Sequence, residues 1–524
     1  MQKTSRGDGS GRVRNLITAA AVVAALAAVG VAATLQLQKN PPASTTVSLS
    51  AKPSPAQPRQ PAAQPPAPPA PPIRTLQPDE AALVVKALAE AEDHGLPASV
   101  FSPEPAQRLL AARDPASQAK GEALLRQTLV AYAKAQHGAR ILGKAIPADW
   151  GLRPAKYDAE HELAAALAEN RLEAWLAALP PPYAGYQQLR GALKQYRAVA
   201  EAGGWPKVAD GPTLKPGMSD PRVAALRKRI AVEDSAIDGA DDSPVYDPNL
   251  QAGVERFQAR QGFTPDGAVG KGTIAALDIS AKGRVDQIVA NLERWRWLPR
   301  SLPATRIEVN IPGGAMSLYQ DNHAAMTMRA VAGRPKDRTP MLVSSIHSVV
   351  LNPPWNVPAG IAAKELWPKQ HADPGYFERE DIVVIKTSDT GGTRLQQKAG
   401  PKSALGQVKF DFDNHYGVYL HDTPSRAAFA RDARAVSHGC VRLEHALDLA
   451  KVLLGGDDAW PPEKIDEVTA GQNTTRVKLP SATPVYLLYW TAYVDADGVL
   501  NFRSDIYDWD KALLGVLDAG RKPA

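Results

Sequence analysis

The stretch Ser437-His438-Gly439-Cys440-Val441-Arg442 contains the only cysteine of this 524-residue sequence. A single thiol cannot close an intramolecular disulfide, and with two nearby histidines it makes a poor metal-binding set. It can act as a nucleophile if a neighbouring group removes its proton or lowers its pKa. His421, sixteen residues before Ser437, is the nearest candidate for that group. This stretch predicts a cysteine-based active site that the rest of the chain positions.

The residues next to Cys440 supply the groups that such a site needs. A thiol with an ordinary pKa near 8.5 is mostly protonated at neutral pH, so Cys440 requires a base. We expect His421, at the end of a predicted strand, to be that base, with Asp422 fixing the tautomer of its imidazole through a carbonyl or carboxylate oxygen. Gly439 permits a tight backbone turn, so the amides of Gly439 and Cys440 are expected to face a developing oxyanion.

Three other side chains of the stretch complete the predicted site. Ser437 and His438 are expected to shape the loop by hydrogen bonding, and Arg442 offers a permanent cation suited to a substrate carboxylate. Zinc binding is the alternative, because His421, His438 and Cys440 are all ligand types. The sequence has neither an H-E-x-x-H nor a paired Cys-x-x-Cys pattern. We therefore predict no metal and no cofactor.

The amino terminus has the pattern of a membrane anchor. Basic residues in the first fourteen positions precede a run of twenty uncharged residues, Leu16 to Leu35. About twenty apolar residues suffice for a helix to cross roughly 30 Å of hydrocarbon. The basic flank predicts a cytoplasmic tail at 1–14, a transmembrane signal-anchor at 15–38 and export of the remainder. A cleavable signal peptide is the alternative, although its apolar region is usually only about 7–15 residues long.

Composition limits the classes of partner. Residues 39–78 form a Pro/Ala-rich linker that cannot build a core and is expected to be an extended spacer. Recruitment of polyproline-binding domains is an alternative role for it. The net charge of +6 and the pI near 9.1 are a modest basic bias without a basic tract. The sequence therefore predicts no nucleic-acid partner.

Two helical units follow the linker. Apolar residues at helical spacing, such as Leu125, Leu129 and Tyr132, predict a scaffold domain at 79–213. Residues 214–280 predict three short helices, with Asp247, Gln258 and Asp266 as cap and turn residues. Their FQ…G…DG.VG…T…L order resembles the peptidoglycan-binding module, and bracing of the catalytic part without binding is the alternative.

The sequence pattern of residues 281–510 differs from that of the helical units before it. After one helix, many short alternating or β-branched runs predict a mostly β domain, a sandwich or a barrel. The predicted strands are Arg306 to Ile311, Met316 to Tyr319, Met326 to Val331, Ser348 to Asn352, Ile382 to Lys386, Val408 to Phe412, Gly417 to His421, Arg476 to Leu479, Val485 to Val494 and Val499 to Phe502. Asp495 to Gly498 has the pattern of a β-hairpin turn. Residues 511–524 are left as a C-terminal tail. The whole is predicted as a multidomain α+β protein.

Beyond the cysteine stretch, several motifs carry a resemblance to a known family. His421 followed by Ser437-His438-Gly439-Cys440 resembles the signature of L,D-transpeptidases with a YkuD catalytic domain. The similarity extends through the following segments: Gly333-Arg334-Pro335 with Arg338-Thr339-Pro340, Asn352 to Pro358, Asp373 to Tyr376, Gly400 to Gly406 and Leu420 to Pro424. With its helical scaffold and binding module, the chain resembles the long, membrane-anchored Gram-negative members.

The resemblance implies an acyl transfer on peptidoglycan. Cys440 would attack the carbonyl of meso-diaminopimelate in a donor tetrapeptide stem, release the terminal D-Ala and pass the acyl group to an acceptor stem, forming a 3→3 cross-link. It also implies a lid at about 352–389, with Trp355 and Tyr376 lining the cleft. The implied location is the inner membrane, with the catalytic part in the periplasm and other cell-wall synthesis proteins as candidate partners.

Other functions fit the same residues. Water as the acceptor would make an L,D-carboxypeptidase, and a lipoprotein acceptor would make a wall-attachment enzyme. A non-catalytic peptidoglycan-binding protein that uses 214–280 is the alternative from another class. The sequence does not choose among these acceptors.

Overall fold

The computed structural model describes residues 73–141, 146–386 and 392–519. The predicted cytoplasmic tail, anchor and nearly all of the linker lie outside these residues. None of the helices in the described ranges combines the length and the apolar character needed to span a bilayer.

The first described part is an all-helical scaffold with its own core. Its helices are α1 (Pro78–Ala89), α2 (Ala98–Phe101), α3 (Glu104–Leu110), α4 (Pro115–Gln136), α5 (Ala159–Ala168), α6 (Leu172–Ala178) and α7 (Ala184–Glu201). The predicted stripe of Leu125, Leu129 and Tyr132 is buried on α4, where it packs against Leu163 and Leu167 of α5. Burial of these stripes holds the short helices together.

A three-helix unit follows, as the sequence predicts. It consists of α8 (Arg222–Ala231), α9 (Pro248–Gln261) and α10 (Lys271–Leu277). The Asp247 carboxylate caps α9 by accepting from the amide of Leu250 at 2.9 Å. Gln258 is buried and donates to the Asp266 carboxylate at 2.9 Å. These three polar residues therefore stabilise the fold of the unit, which is the role that the sequence predicts for them.

Within residues 281–386 and 392–519, the structure contains fourteen strands and seven α-helices. The strands are β1 (Arg306–Asn310), β2 (Ala315–Gln320), β3 (His323–Gly333), β4 (Leu342–Leu351), β5 (Trp355–Asn356), β6 (Ile382–Lys386), β7 (Thr393–Gln397), β8 (Val408–Phe412), β9 (Leu420–His421), β10 (Ala435–Ser437), β11 (Val441–Leu443), β12 (Thr475–Leu488), β13 (Ala492–Val494) and β14 (Leu500–Phe502). The helices are α11 (Ala281–Trp295), α12 (Ala359–Ile361), α13 (Trp367–Ala372), α14 (Tyr376–Arg379), α15 (Ala446–Leu454), α16 (Pro462–Ala470) and α17 (Trp509–Ala519).

Eight of these strands close into a barrel. Hydrogen-bonded neighbours follow the order β3-β11-β9-β8-β4-β12-β1-β2, and β2 pairs back with β3. The short strand β10 lies alongside β3, parallel to it. Alternate residues of the strands, such as Val349 and Phe410, point into one apolar core. The predicted multidomain α+β class with a mostly β, barrel-like catalytic part is confirmed.

Helix α11 joins the three parts. Its apolar face packs on α7 of the scaffold. Its buried Arg284 donates to Gln261 of the three-helix unit at 2.9 Å, and its Asn291 donates to Thr491 of the barrel part at 2.6 Å. Because buried polar groups need partners, these bonds fix the position of each part on the helix.

The scaffold also contributes to the barrel core. The segment before α5 adds to the barrel through the Gly151 amide, which donates to the Met341 carbonyl at 2.6 Å. Trp150 is fully buried in the barrel cluster, against Trp297 and Trp509. The segment that carries Trp150 therefore belongs to the barrel core, whereas helices α1 to α6 keep a core of their own. Sequence periodicity alone does not indicate this.

We expect Trp150→Ala to lower the free energy of unfolding by about 3–5 kcal/mol, because a large side chain with no exposed surface leaves a cavity. Urea unfolding followed by circular dichroism measures this loss. The control is Trp460→Ala, which removes a half-buried tryptophan at the edge of the same cluster and should cost less. Equal losses in the two variants would contradict the central place of Trp150 in the barrel core.

Two segments differ from their predicted form. Residues 511–524, assigned to a tail, form most of α17 up to Ala519, and Leu513 of this helix is buried against the barrel. The lid comprises residues 355–397, described except for 387–391, and contains β5-β7-β6 and the helices α12 to α14. The lid has its own small core, so it is a packed subdomain.

Candidate active site

Strand register brings the predicted base next to the predicted nucleophile loop. β11 runs parallel to β9, with Arg442 opposite His421. One residue earlier, the Val441 amide donates to the Tyr419 carbonyl at 3.1 Å, which places Cys440 beside Tyr419. The rings of Tyr419 and His421 are 5.6 Å apart and edge-on. The segment with His421 and the segment with Cys440 are separate in sequence. They therefore lie side by side in the barrel wall.

The imidazole of His421 is held in one tautomer. Its Nδ1 lies 2.5 Å from the carbonyl oxygen of Asp422, and because a carbonyl can only accept, Nδ1 carries the proton. Burial, and to a lesser extent the charges of Arg442 and Lys409, lowers the pKa of His421 to about 3. His421 is therefore neutral at physiological pH, and its unprotonated Nε2 can accept a proton.

The thiol of Cys440 is protonated in the resting protein. Burial raises its pKa above the ordinary value. Hydrogen bonding with the backbone of Tyr419, and with its hydroxyl, acts in the opposite direction and stabilises the thiolate. The Trp355 side chain hydrogen-bonds the same hydroxyl from the lid side. In the described residues no hydrogen bond joins the thiol directly to His421.

The loop that carries Cys440 is closed by its own serine. The Ser437 hydroxyl donates to the Cys440 carbonyl at 2.6 Å and accepts from the Gly439 amide at 3.1 Å. Gly439 has φ of +114°, a conformation that side chains rarely tolerate. The Gly439 amide is therefore already engaged, whereas the Cys440 amide has no acceptor within the described ranges. The predicted oxyanion site reduces to the Cys440 amide in this state.

A threonine behind the loop fixes its position. The hydroxyl of Thr339, which is fully buried, donates to the Gly439 carbonyl at 2.7 Å. Its amide donates to the Tyr507 hydroxyl at 3.1 Å, and that hydroxyl donates to Gly333. The chain after β12 therefore supports the nucleophile loop through hydrogen bonds.

Asp422 also has a structural role. Its buried carboxylate accepts from the Gln407 amide at 2.9 Å and pairs with Arg426 at 2.9 Å. Gly406, with φ of +59°, packs so closely against it that a Cβ there would overlap the carboxylate. The carbonyl, not the carboxylate, therefore orients His421, and the carboxylate holds that carbonyl in place.

The other predicted residues differ in their partners and in whether they contact the site. Arg442 is half-buried, and in the described part of the chain no carboxylate or carbonyl pairs with its guanidinium. His438 turns to the lid and donates to Glu365 at 2.7 Å. Trp355 reaches the site through Tyr419, whereas Tyr376 packs in the lid core and has no described contact with Cys440.

Three residues of this site were not singled out from the sequence. Tyr419 precedes His421 by two positions, so strand alternation indicates that both lie on one face. Thr339 belongs to the segment Arg338-Thr339-Pro340 that carries part of the resemblance, but nothing in the sequence shows that it faces Gly439. Glu365 lies 73 positions from His438 and has no local signal. Within the described ranges, no group of three or more His, Cys, Asp and Glu residues is arranged to hold a metal ion.

We expect Tyr419→Phe to raise the pKa of the Cys440 thiol, because the hydroxyl that stabilises the thiolate is lost. The rate of alkylation by iodoacetamide, followed from pH 6 to 10, should therefore rise at higher pH than in the wild type. Tyr416→Phe is the control, since that hydroxyl donates to the Ala148 carbonyl away from the thiol. An unchanged alkylation profile in Tyr419→Phe would contradict this role.

Comparisons with known families match three segments of the chain. Residues 304–478 match the L,D-transpeptidase catalytic domain, YkuD. Residues 75–193 match a scaffold domain, and residues 219–277 match the family described as "Putative peptidoglycan binding domain".

Individual relatives cover only part of the protein. The chain is 34% identical over 256 residues to the Haemophilus influenzae protein named "Putative L,D-transpeptidase". The matched region covers 45% of this chain and 51% of that protein. The chain thus spans about half the length of this curated relative.

Among solved structures, an L,D-transpeptidase (Yku) from Stackebrandtia nassauensis is 12% identical with a TM-score of 0.22, covering 54% of this chain and 96% of that chain. An L,D-transpeptidase from Xylanimonas cellulosilytica is 16% identical with a TM-score of 0.17, covering 53% and 99%. From the family matches, the chain contains an L,D-transpeptidase catalytic domain of the YkuD family, together with a scaffold domain and a peptidoglycan-binding domain.

Proposed function

We propose that this protein is a cysteine-dependent acyltransferase that forms 3→3 cross-links between peptidoglycan stem peptides. The observation that carries the proposal is a buried, neutral His421 of fixed tautomer on the strand next to a protonated Cys440 thiol. A base and a nucleophile in these protonation states are the starting point of thiol acylation. The match to the YkuD catalytic domain supports peptidoglycan as the substrate.

In the first half of the reaction, the sulfur of Cys440 attacks the carbonyl of meso-diaminopimelate in a tetrapeptide stem. His421 Nε2 takes the thiol proton and returns it to the departing amine of D-Ala as the peptide C–N bond breaks. The amide of Cys440 stabilises the oxyanion. Arg442, half-buried and without a partner in the described chain, is placed to bind a stem carboxylate.

In the second half, the side-chain amine of an acceptor stem attacks the thioester. A new amide forms, the C–S bond breaks and the thiol is regenerated with a proton from the amine. Water in place of the amine would give a tripeptide, which is the carboxypeptidase outcome. The peptidoglycan-binding domain would keep both stems near the site.

The cellular location of the protein is also a proposal. We propose a single inner-membrane anchor at 15–38 with the catalytic part in the periplasm, on the basic residues and the uncharged run that follows them. Membrane fractionation of cells that express the full chain tests the anchor. Recovery of the full-length chain in the soluble fraction would contradict it.

Intact-protein mass spectrometry with a carbapenem tests the proposed chemistry. This β-lactam acylates an activated thiol, so the folded wild type should gain one adduct and Cys440→Ala should gain none. A folded wild type that remains unmodified would overturn the proposed function. An adduct on Cys440→Ala would show that another residue is the nucleophile.

A further inference from the structure

We propose that Glu365 is a positioning residue that latches the lid over the nucleophile loop and keeps water from the acyl-enzyme. The proposal rests on the proposed acyl transfer. One carboxylate oxygen of Glu365 lies 2.7 Å from Nε2 of His438 and 3.3 Å from Nη2 of Arg334. His438 is two residues from Cys440, so a single lid side chain contacts the loop that carries the thiol.

Both partners of Glu365 belong to the loop structure. The Arg334 amide donates to the Ser437 carbonyl at 3.0 Å, and the Arg334 guanidinium also pairs with Asp337. Hydrogen bonding from His438 and Arg334 lowers the pKa of Glu365, which keeps the carboxylate charged. Charge-assisted hydrogen bonds of this kind are directional and stronger than neutral ones.

The backbone of the lid departs from regular α-helix at Glu365. Glu365 lies in a π-helical segment, Ala362–Leu366, between α12 and α13. Pro368 follows and has no amide hydrogen to donate to the carbonyl of Lys364, so regular α-helical bonding cannot continue there. Ala362 and Leu366 are buried in the lid core, which leaves Glu365 to face the loop. π-helical segments of this kind are frequent at functional sites.

The lid contacts the site at a second place. Trp355 hydrogen-bonds the Tyr419 hydroxyl, which itself contacts the Cys440 thiol. The lid is therefore attached through Glu365 and His438 at one point and through Trp355 and Tyr419 at the other, and both points adjoin Cys440. A thioester held under such a lid is shielded from water while the positioned amine of the acceptor attacks.

The latch determines how much of the acyl-enzyme becomes cross-linked dimer, by attack of the acceptor amine, and how much becomes tripeptide, by attack of water. With a disaccharide-tetrapeptide as donor and acceptor, we expect Glu365→Ala to lower the ratio of cross-linked dimer to tripeptide by about 10-fold. Glu365→Gln keeps an acceptor for His438 and should lie between Glu365→Ala and the wild type. A merely structural defect would reduce both products together and leave their ratio unchanged.

The control variant is Glu378→Ala. Glu378 is exposed on α14 of the same lid, and within the described ranges its carboxylate has no partner. This variant should keep the wild-type product ratio. The same fall in both variants, or no fall in Glu365→Ala, would overturn the latch.

Hydrogen exchange on the full-length protein separates this proposal from the proposed function. We expect lid amides at 359–379 to exchange about 10-fold faster in Glu365→Ala, with β8 and β12 unchanged. A wild type that forms neither dimer nor tripeptide would contradict the acyl transfer, and the exchange measurement would still decide the latch. Unaltered lid exchange in Glu365→Ala would overturn it.

Discussion

Cys440→Ala should reduce the rate of acylation by at least about 10⁴-fold, because no other thiol is present to form the thioester. Cys440→Ser should be almost as severe. A hydroxyl in this buried site has a far higher pKa than a thiol and is the weaker nucleophile. Stopped-flow measurement of carbapenem acylation gives the rates of all three proteins.

The controls for this result concern folding. Cys440 packs at the edge of the barrel cluster, and alanine or serine there removes only a small volume. The melting temperature of both variants should therefore remain within a few degrees of the wild type. Acylation of Cys440→Ala at the wild-type rate would contradict the assignment of the nucleophile.

His421→Gln should slow acylation by about 10²–10⁴-fold, the usual contribution of a positioned general base. Glutamine fills a similar volume and can still donate to the Asp422 carbonyl, but it cannot take the thiol proton. The control is His323→Gln, an exposed histidine of β3 whose ring hydrogen-bonds the Asp321 carbonyl, outside the site. A wild-type rate in His421→Gln would show that another group removes the proton.

The protonation state of His421 also predicts the pH dependence. With a pKa of about 3, the imidazole stays unprotonated, and so able to accept a proton, throughout the range from pH 5 to pH 8. An ordinary histidine would lose this capacity as the pH falls below about 6.5. The wild-type acylation rate should therefore change little between pH 8 and pH 5. A fall with an apparent pKa near 6.5 would contradict a desolvated base.

Much of the barrel could be predicted from its longer strands. Ile382–Lys386 and Val408–Phe412 have the predicted bounds, because each is a continuous β-favouring run between turn residues. β10 and β11 were missed, since three residues on each side of a loop give no measurable periodicity. Trp150 was assigned to the helical scaffold, and only tertiary packing places it in the barrel core.

In the site, too, local features could be predicted from the sequence and tertiary contacts could not. Local sequence was sufficient to place Cys440 on a glycine turn and to propose Asp422 as the partner of His421. It left the carbonyl and the carboxylate of Asp422 as alternatives, and the structure shows the carbonyl in that role. Contacts between distant segments were not predictable. Thr339 and Glu365 act on the nucleophile loop from 100 and 73 residues away, through hydrogen bonds that depend on the closed barrel and the folded lid.

The most direct test of the account is the reaction itself. The full-length protein, incubated with a disaccharide-tetrapeptide and quenched in acid, would be digested and mapped by tandem mass spectrometry. The account predicts a tripeptidyl thioester on Cys440 and, in solution, free D-Ala together with a dimer joined between two meso-diaminopimelate residues. An acyl group on another residue, or the same dimer made at the wild-type rate by Cys440→Ala, would contradict it.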